Sequence, residues 1–358
     1  MRADATEENL EAEDPFALAD TAAIRARRLG RDDQTGRFGE VFDVTMDGRA
    51  AQLMFPVQED AHGPFKQVGF LQLSDGVEGH EATCLHVGDA RPVETVRIQR
   101  KGPLGDGPGG EDGTVQGLLD LLGLPYVGSG VAASVTAMDK ALAKHCFRAA
   151  GLPVARDLVI PAGTGTDQAA TWVLDTLGCA VVVKPSQQGS ALGVTLVDSE
   201  AALETALTLA LSFGAAVLVE ERLTGREMTA GIFDPHGQEA LALPVIEITT
   251  PENSWYDFDH RYAPGASEHL VPAPLAEGLG QAIQAIARKA HATLGCRDLS
   301  RADLILTEAG PVLLEVNTLP GMTPTSLYPD GAAAAGLPFP QLARSLVQSA
   351  LSRGPRRF

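Results

Sequence analysis

The chain has 358 residues, 44% of them hydrophobic and 21% charged, enough for two or three compact units with buried cores. Its formal net charge of −18 argues against a nucleic-acid partner, because phosphate backbones reward clustered Lys and Arg. The basic run Arg353, Arg356 and Arg357 reads as a solvated tail. No apolar stretch approaches the ~20 residues that span a bilayer. The acidic start (Glu7, Glu8, Glu11, Glu13, Asp14) lacks the apolar centre of a secretory signal. Cys84, Cys146, Cys179 and Cys296 are scattered, without a C-x-x-C pair or metal-ligand spacing, which fits reduced structural thiols in a cytoplasmic protein.

Residues 1–14 have the composition of a disordered segment. Residues 15–29 read as a helix. Alternating segments at 40–46 and 50–56, separated by Asp47-Gly48, predict a hairpin, and strand-like runs follow at 68–73 and 93–99. After the glycine-rich stretch 102–113, helices are predicted over 114–122 and 138–150, the second ended by Gly151 and Pro153. Buried-type strands at 180–184 and 195–197 flank a loop at 185–193. A helix at 201–212 is followed by strands at 217–221, 228–233 and 240–248. An amphipathic helix at 279–294 precedes a hairpin, 304–306 with 312–316, and a helix at 340–351 closes the chain. Helices laid against antiparallel hairpins point to α+β units.

Three constellations carry chemistry. In the first, the valine run 181–183 delivers Lys184 to a loop containing Ser186, Gly189, Ser190 and Gly193. Glycines let such a loop lie close over a polyanion, whose oxygens the backbone N–H groups can hold; a plain hairpin turn with a surface lysine is the alternative. Only six of the 28 basic residues are lysines, and Lys140, Lys144 and Lys184 lie within one short stretch, where a compact ammonium suits phosphate.

The second is Glu220, Glu221, Leu223 and Glu227, just past a strand end. Main-chain groups there can meet an adenine edge, and a carboxylate can accept from ribose hydroxyls; solvated acidic residues are the alternative. The third is Arg301, Asp303, Glu315 and Asn317, followed by Pro320-Gly321-Met322-Thr323 and Ser326. Asp303, Glu315 and Asn317 are hard oxygen donors on facing strands, which suits Mg²⁺ bridged to phosphates. The alternative is pairing of the carboxylates with Arg301, although one guanidinium does not neutralise two.

Gly110-Glu111-Asp112-Gly113-Thr114, Pro125-Tyr126-Val-Gly128-Ser129-Gly130, Met138-Asp139-Lys140, Lys184-Pro185-Ser186, Glu315-Val-Asn317-Thr318 and Pro320-Gly321-Met322-Thr323 occur in this order. Together they resemble the motifs of D-alanine–D-alanine ligases over roughly residues 105–350. The resemblance implies an ATP-grasp fold of mixed α/β and α+β character in three units, with boundaries expected at 1–132, 133–217 and 218–354. The first of these is an atypical β-containing domain.

It implies an enzyme in which ATP phosphorylates one amino acid's carboxylate and the amine of a second attacks the acyl phosphate. Lys140, Lys184 and Ser186 would hold phosphates, with Arg261 also on the nucleotide side. Glu220, Glu221, Leu223 and Glu227 would hold the nucleoside. Asp303, Glu315 and Asn317 would bind two Mg²⁺, or Mn²⁺ in their place. Arg301 and the Gly321 backbone would stabilise the oxyanion. Ser190 and Tyr262 would latch a loop (residues 255–262) over the reactants, excluding water from an easily hydrolysed intermediate; His260 in that loop reads as solvated. Glu111, Asp106, Ser326 and Leu327 would line the substrate sites. The partners implied are small amino-acid substrates, and a homodimer is compatible with them.

Four departures stand out. Residues 1–100 carry no glycine-rich Glu-His motif, whose glutamate in the family holds the donor ammonium. The family's His-Gly is Asp106-Gly107 here, the second serine of its Gly-Ser-Ser loop is Ala191, and its Lys-Tyr is Arg261-Tyr262. Most fall on the donor side, so the reading put first is an amide-forming ligase with an altered donor. A cell-wall D-alanine–D-alanine ligase and a non-catalytic ATP-binding protein are the alternatives.

Overall fold

The computed structural model describes residues 110–121, 123–189, 191–250, 267–323, 326–354 and 356, together with the backbone of four N-terminal strands. Those strands, β1 (Ala23–Leu29), β2 (Phe38–Met46), β3 (Arg49–Val57) and β4 (Phe70–Gln72), form an antiparallel sheet in the order β1-β2-β3-β4. The β2–β3 hairpin turns across residues 47–48 as expected. The helix expected over 15–29 is corrected over 23–29, which pair along their whole length with β2; residues 15–22 lie outside the described residues. The helix propensity of Ala and Arg is a weak preference that strand pairing overrides. The strand expected at 93–99 lies outside the described residues.

Helix α1 (Thr114–Leu121) matches its expectation, and the helix expected over 138–150 is found over 140–149, preceded by a further helix that was not expected. Helix α2 (Val131–Met138) ends at Asp139, which is extended (φ −85°, ψ 97°) and starts α3 (Lys140–Ala149). Strands β5 (Asp157–Ile160), β6 (Val181–Pro185), β7 (Thr195–Val197) and β8 (Val217–Glu221) form a second antiparallel sheet, order β5-β8-β6-β7. Helices α4 (Thr166–Thr176) and α5 (Glu200–Leu211) pack on it through Val173, Leu203 and Leu207, which meet Val181, Val183, Val217 and Val219. Neither β5 nor α4 was expected: α4 holds few large apolar residues, and β5 is four residues long.

The largest sheet has the order β12-β11-β9-β13-β14, from β9 (Arg226–Asp234), β11 (Ile246–Thr249), β12 (Glu268–Leu270), β13 (Asp298–Thr307) and β14 (Gly310–Asn317), with β10 (Leu241–Ala242) beside β9. The strand expected over 240–248 is therefore broken, at Leu243-Pro244-Val245, where proline removes a ladder donor. Two-residue periodicity divides β9 and β13. Met228, Ala230, Ile232, Ala302 and Leu304 pack with Phe147 of α3 and with Ile283 and Ala287 of α6 (Leu279–Leu294). Truncating a buried ring such as Phe147 costs about 3–5 kcal/mol. Thr229, Arg301 and Asp303 take the opposite face. Helices α7 (Leu327–Ala334) and α8 (Phe339–Arg353) pack through Tyr328, Leu342 and Leu346 on Phe233 and Leu299.

Of the tail expected to be solvated, Arg356 is exposed and Arg357 lies outside the described residues, but Arg353 is held down. Arg353 grips the fully buried Asp298 at 2.7 and 2.8 Å and donates to Tyr126 O at 2.7 Å. Asp298 (φ +63°) also accepts from Gly128 N at 2.7 Å, so α8 fixes the Pro125–Gly130 motif. Arg356 pairs with Asp120 at 3.2 Å.

Gly225, just before β9, lies against β13: a Cβ there would sit 2.3 Å from Leu306 O and 2.8 Å from Ile305 Cγ2. Backbone cannot yield as a side chain can. Gly225→Ala is expected to destabilise the fold by about 1–3 kcal/mol, read as a lower denaturant midpoint; an unchanged midpoint would show that β9 and β13 separate freely here.

Candidate active site

Val181 and Val183 bury β6 in its core, and the strand ends on Lys184 and the loop that follows. Ser186 N donates to Ala216 O at 2.8 Å, anchoring the loop's start. At the loop's end Gly193 adopts φ +72°, and a Cβ there would lie 2.7 Å from the Phe213 ring and 2.9 Å from Pro185. Glycine is required on both counts.

Lys184 does not point into solvent. Its ammonium and that of Lys144, one turn along α3 from Lys140, both contact the carboxylate of Glu220 on β8. All three side chains are buried, Lys144 to 1% exposure. Burial, with the charge of Lys184 adding to it, pulls the Lys144 ammonium down to about 7. Burial likewise pulls Lys184 down to about 8, with Glu315 opposing and Lys140 adding. The Glu220 carboxylate favours the charged form of both. Lys144 was not picked out individually as a site residue; the clustering of scarce lysines is the signal that pointed to it.

Lys140 joins the two sheets. Its Nζ donates to Gln188 O in the loop at 2.8 Å and lies 3.3 Å from Glu315 on β14. Across the β13–β14 ladder, Asp303 faces Glu315 and Arg301 faces Asn317. Arg301 donates to Asp303 through Nε and one terminal nitrogen, each at 2.9 Å, and Thr229 Oγ1 donates to Asp303 at 2.7 Å. Asn317 Oδ1 accepts from Leu319 N at 2.9 Å. Three cationic side chains, Lys140, Lys184 and Arg301, thus converge on a rim of carboxylates at the ends of two sheets. Such an arrangement can clamp a polyanion and support hard-cation binding.

Residues 146–348 match the family model described as "D-ala D-ala ligase C-terminus". A D-alanine–D-alanine ligase of Halalkalibacterium halodurans is 44% identical over 246 residues, 68% of this chain and 79% of the relative. Another, from Desulforudis audaxviator, is 44% identical over 265 residues, 74% of this chain and 85% of the relative. The chain belongs to the D-alanine–D-alanine ligase family. Among solved structures, the D-alanine–D-alanine ligase from Coxiella burnetii superimposes with a TM-score of 0.60 at 30% identity, covering 69% of this chain and 66% of that one. The VanG D-Ala:D-Ser ligase from Enterococcus faecalis gives 0.61 at 30% identity, covering 68% and 71%.

The chain is accordingly an ATP-grasp ligase that forms a C–N bond, with a mixed α/β fold. The family uses ATP and Mg²⁺. Two carboxylates and an amide oxygen are hard donors of the kind Mg²⁺ takes; here they are engaged by Arg301 and Thr229, by Lys140 and by Leu319 N. Among the described residues no three His, Cys, Asp or Glu side chains form a self-sufficient metal cage, and no helix is long and apolar enough to cross a membrane.

Other expected residues are placed as follows. Glu220 has both carboxylate oxygens engaged by lysines, a pairing the sequence reading did not anticipate. Glu221 accepts from Arg156 N at 3.0 Å, bracing β8 on the chain before β5. Leu223 and Glu227 are half-buried on either side of Gly225, and Glu111 is half-buried in the turn before α1. Gly321 is half-buried after β14. Ser326 N-caps α7, but its Oγ turns to Thr323, accepting from Thr323 N at 3.0 Å, while Leu327 is buried. Arg301 pairs with Asp303, the alternative raised for these carboxylates, and Lys140 supplies a second positive charge beside Glu315. Ser190, Arg261, Tyr262 and Asp106, and the whole 255–262 segment, lie outside the described residues.

Proposed function

We propose that the chain is a D-alanine–D-alanine ligase, joining the carboxylate of one D-alanine to the amine of another at the expense of ATP. The observation that carries the reading is the Lys140 bridge, one ammonium touching both the Gln188 carbonyl of the phosphate loop and Glu315 of the carboxylate hairpin. A triphosphate lying between those elements would be held by Lys140, Lys184 and the loop amides, with Ser186 beside them. Glu220, Glu221, Leu223 and Glu227 are the nucleoside side. Asp303, Glu315 and Asn317 would hold two Mg²⁺, whose chemistry there is to bridge phosphate oxygens and offset their charge.

Arg301 lies within the same rim, and releasing Asp303 would free its guanidinium for an oxyanion at the reacting carbonyl, with Gly321 N as a second donor. Ser326 and Leu327 would receive the second amino acid. Ser190, Tyr262 and Arg261 remain assigned to the closing contact over the nucleotide, and Glu111 and Asp106 to the donor side. ATP and free amino acids are cytoplasmic solutes, which locates the reaction there.

Relatives named D-alanine–D-alanine ligase at 44% identity favour D-alanine as donor over the altered donor that the sequence departures suggest. The second reading rests on the donor-side departures, that residues 1–100 contain no glycine-rich Glu-His motif to hold a donor ammonium and that Asp106 stands where the family has histidine. The two separate in an ATP-dependent phosphate-release assay with products identified by mass spectrometry. D-alanine as the sole amino acid is expected to give the dipeptide. Turnover confined to another carboxylate would establish the altered donor, and no turnover with any pair would remove the assignment.

A further inference from the structure

Asp139 is the middle residue of Met138-Asp139-Lys140, and no binding or catalytic role falls to it from the contacts above. Its Oδ1 accepts from Ala141 N and Leu142 N, each at 3.1 Å, capping α3. The same oxygen accepts from Ser186 Oγ at 2.6 Å, and Oδ2 accepts from Gln187 Nε2 at 2.8 Å. The backbone repeats the connection, with Lys140 N donating to Ser186 O at 2.9 Å. Ala141 N also lies 3.2 Å from Ser186 Oγ. One carboxylate therefore satisfies two helix donors and two side chains of the loop that follows Lys184.

We propose that Asp139 is a positioning residue that locks the phosphate loop to the start of α3, fixing Lys140 and the loop at one spacing. The inference rests on the ligase reading, because it matters only if a triphosphate lies between these elements. Capping needs one acceptor oxygen, and serine, asparagine or aspartate supplies it. The second oxygen, aimed at Gln187 48 residues away, does nothing for the helix. Its effect is to add a side-chain hold on a glycine-containing loop that is otherwise tied through Ser186 to Ala216 and Lys140 and through Gln188 to Lys140. Burial works against the charged form of Asp139, but the hydrogen bonds from Ser186, Gln187, Leu142 and Ala141 outweigh it and hold the carboxyl below its usual range. It stays an anion, and an anion accepts from all four donors at once.

Asp139→Ser separates helix capping from loop positioning. Serine keeps the cap but cannot also reach Ser186 and Gln187. We expect its thermal midpoint to stay close to that of the native chain. We expect ATP affinity by calorimetry to fall about tenfold, as for the loss of charge-assisted bonds, and the KM for ATP to rise while that for the acceptor amino acid stays unchanged. Asp139→Ala should lose both stability and affinity. If Asp139→Ser binds ATP within twofold of the native chain, Asp139 is a helix cap and nothing more. A native chain that itself fails to bind ATP overturns the ligase reading as well, so the two failures are told apart in one series.

Discussion

Glu315→Gln is expected to lower ligase turnover at least about a hundredfold while leaving the fold intact, the scale on which removing one oriented electrostatic group slows an enzyme. Glutamine keeps the length and the planar head, so β14 and its ladder with β13 lose no packing. What disappears is one of the two carboxylates in an Asp303–Glu315–Asn317 set and the ionic partner of Lys140 at 3.3 Å. An amide oxygen is a poorer Mg²⁺ ligand than a carboxylate, so the concentration of Mg²⁺ needed for half-maximal rate should rise as well. Steady-state phosphate release over a Mg²⁺ titration reads both effects, and thermal unfolding checks the fold. Near-normal turnover at the native Mg²⁺ requirement would remove Glu315 from the metal site.

How much of this was visible beforehand depends on what each segment asks of its residues. The 180–184 strand and the loop after it were legible because a valine run suits a buried strand and glycines mark the turn that ends it; the sequence leaves the fate of Lys184 open between phosphate and solvent. The β13–β14 hairpin was legible because its acidic residues interrupt an apolar pattern at facing positions. Of the partners of those acidic groups, Arg301, two residues from Asp303 on the same strand, was open to a sequence reading as the alternative to a metal. Lys140 was hidden, because it reaches Glu315 from a helix some 175 residues earlier, a contact that follows from the tertiary arrangement and leaves no local trace. Asp139 has no role legible in its motif, since its hydrogen bonds to Ser186 and Gln187 cross from a helix to a loop. The tail misled because Arg353 looks solvated unless the buried Asp298 is known to lie beneath it. The error at residues 23–29 has the opposite origin, a local helix preference defeated by pairing with a neighbouring strand.

Lys184→Met should weaken ATP binding about thirtyfold or more, matching the ~2 kcal/mol or above that follows from taking one partner out of a buried charge pair. Methionine keeps the buried stem, and Glu220 keeps Lys144 as a partner, so the β6–β8 ladder should survive. Lys144→Met is the informative companion. With Lys144 gone, Glu220 has Lys184 to itself and holds it more tightly, away from phosphate; ATP affinity should fall there too, though by less. The pH dependence tells the lysines apart from a general loss of structure. ATP's terminal phosphate, with its last ionisation near pH 6–7, is essentially ionised from pH 7.5 upward. With Lys184 pulled down to about 8 and Lys144 to about 7, rising pH removes positive charge from the site, so native affinity should decline as pH climbs from 7 through 9. Binding must then take up protons, and the measured heat should vary with the ionisation enthalpy of the buffer. Lys184→Met should show the weak affinity already at pH 7 and a flatter profile above it. A native profile that is flat from pH 7 to 9, or a variant that binds ATP as the native chain does, would mean that Lys184 serves Glu220 and not the nucleotide.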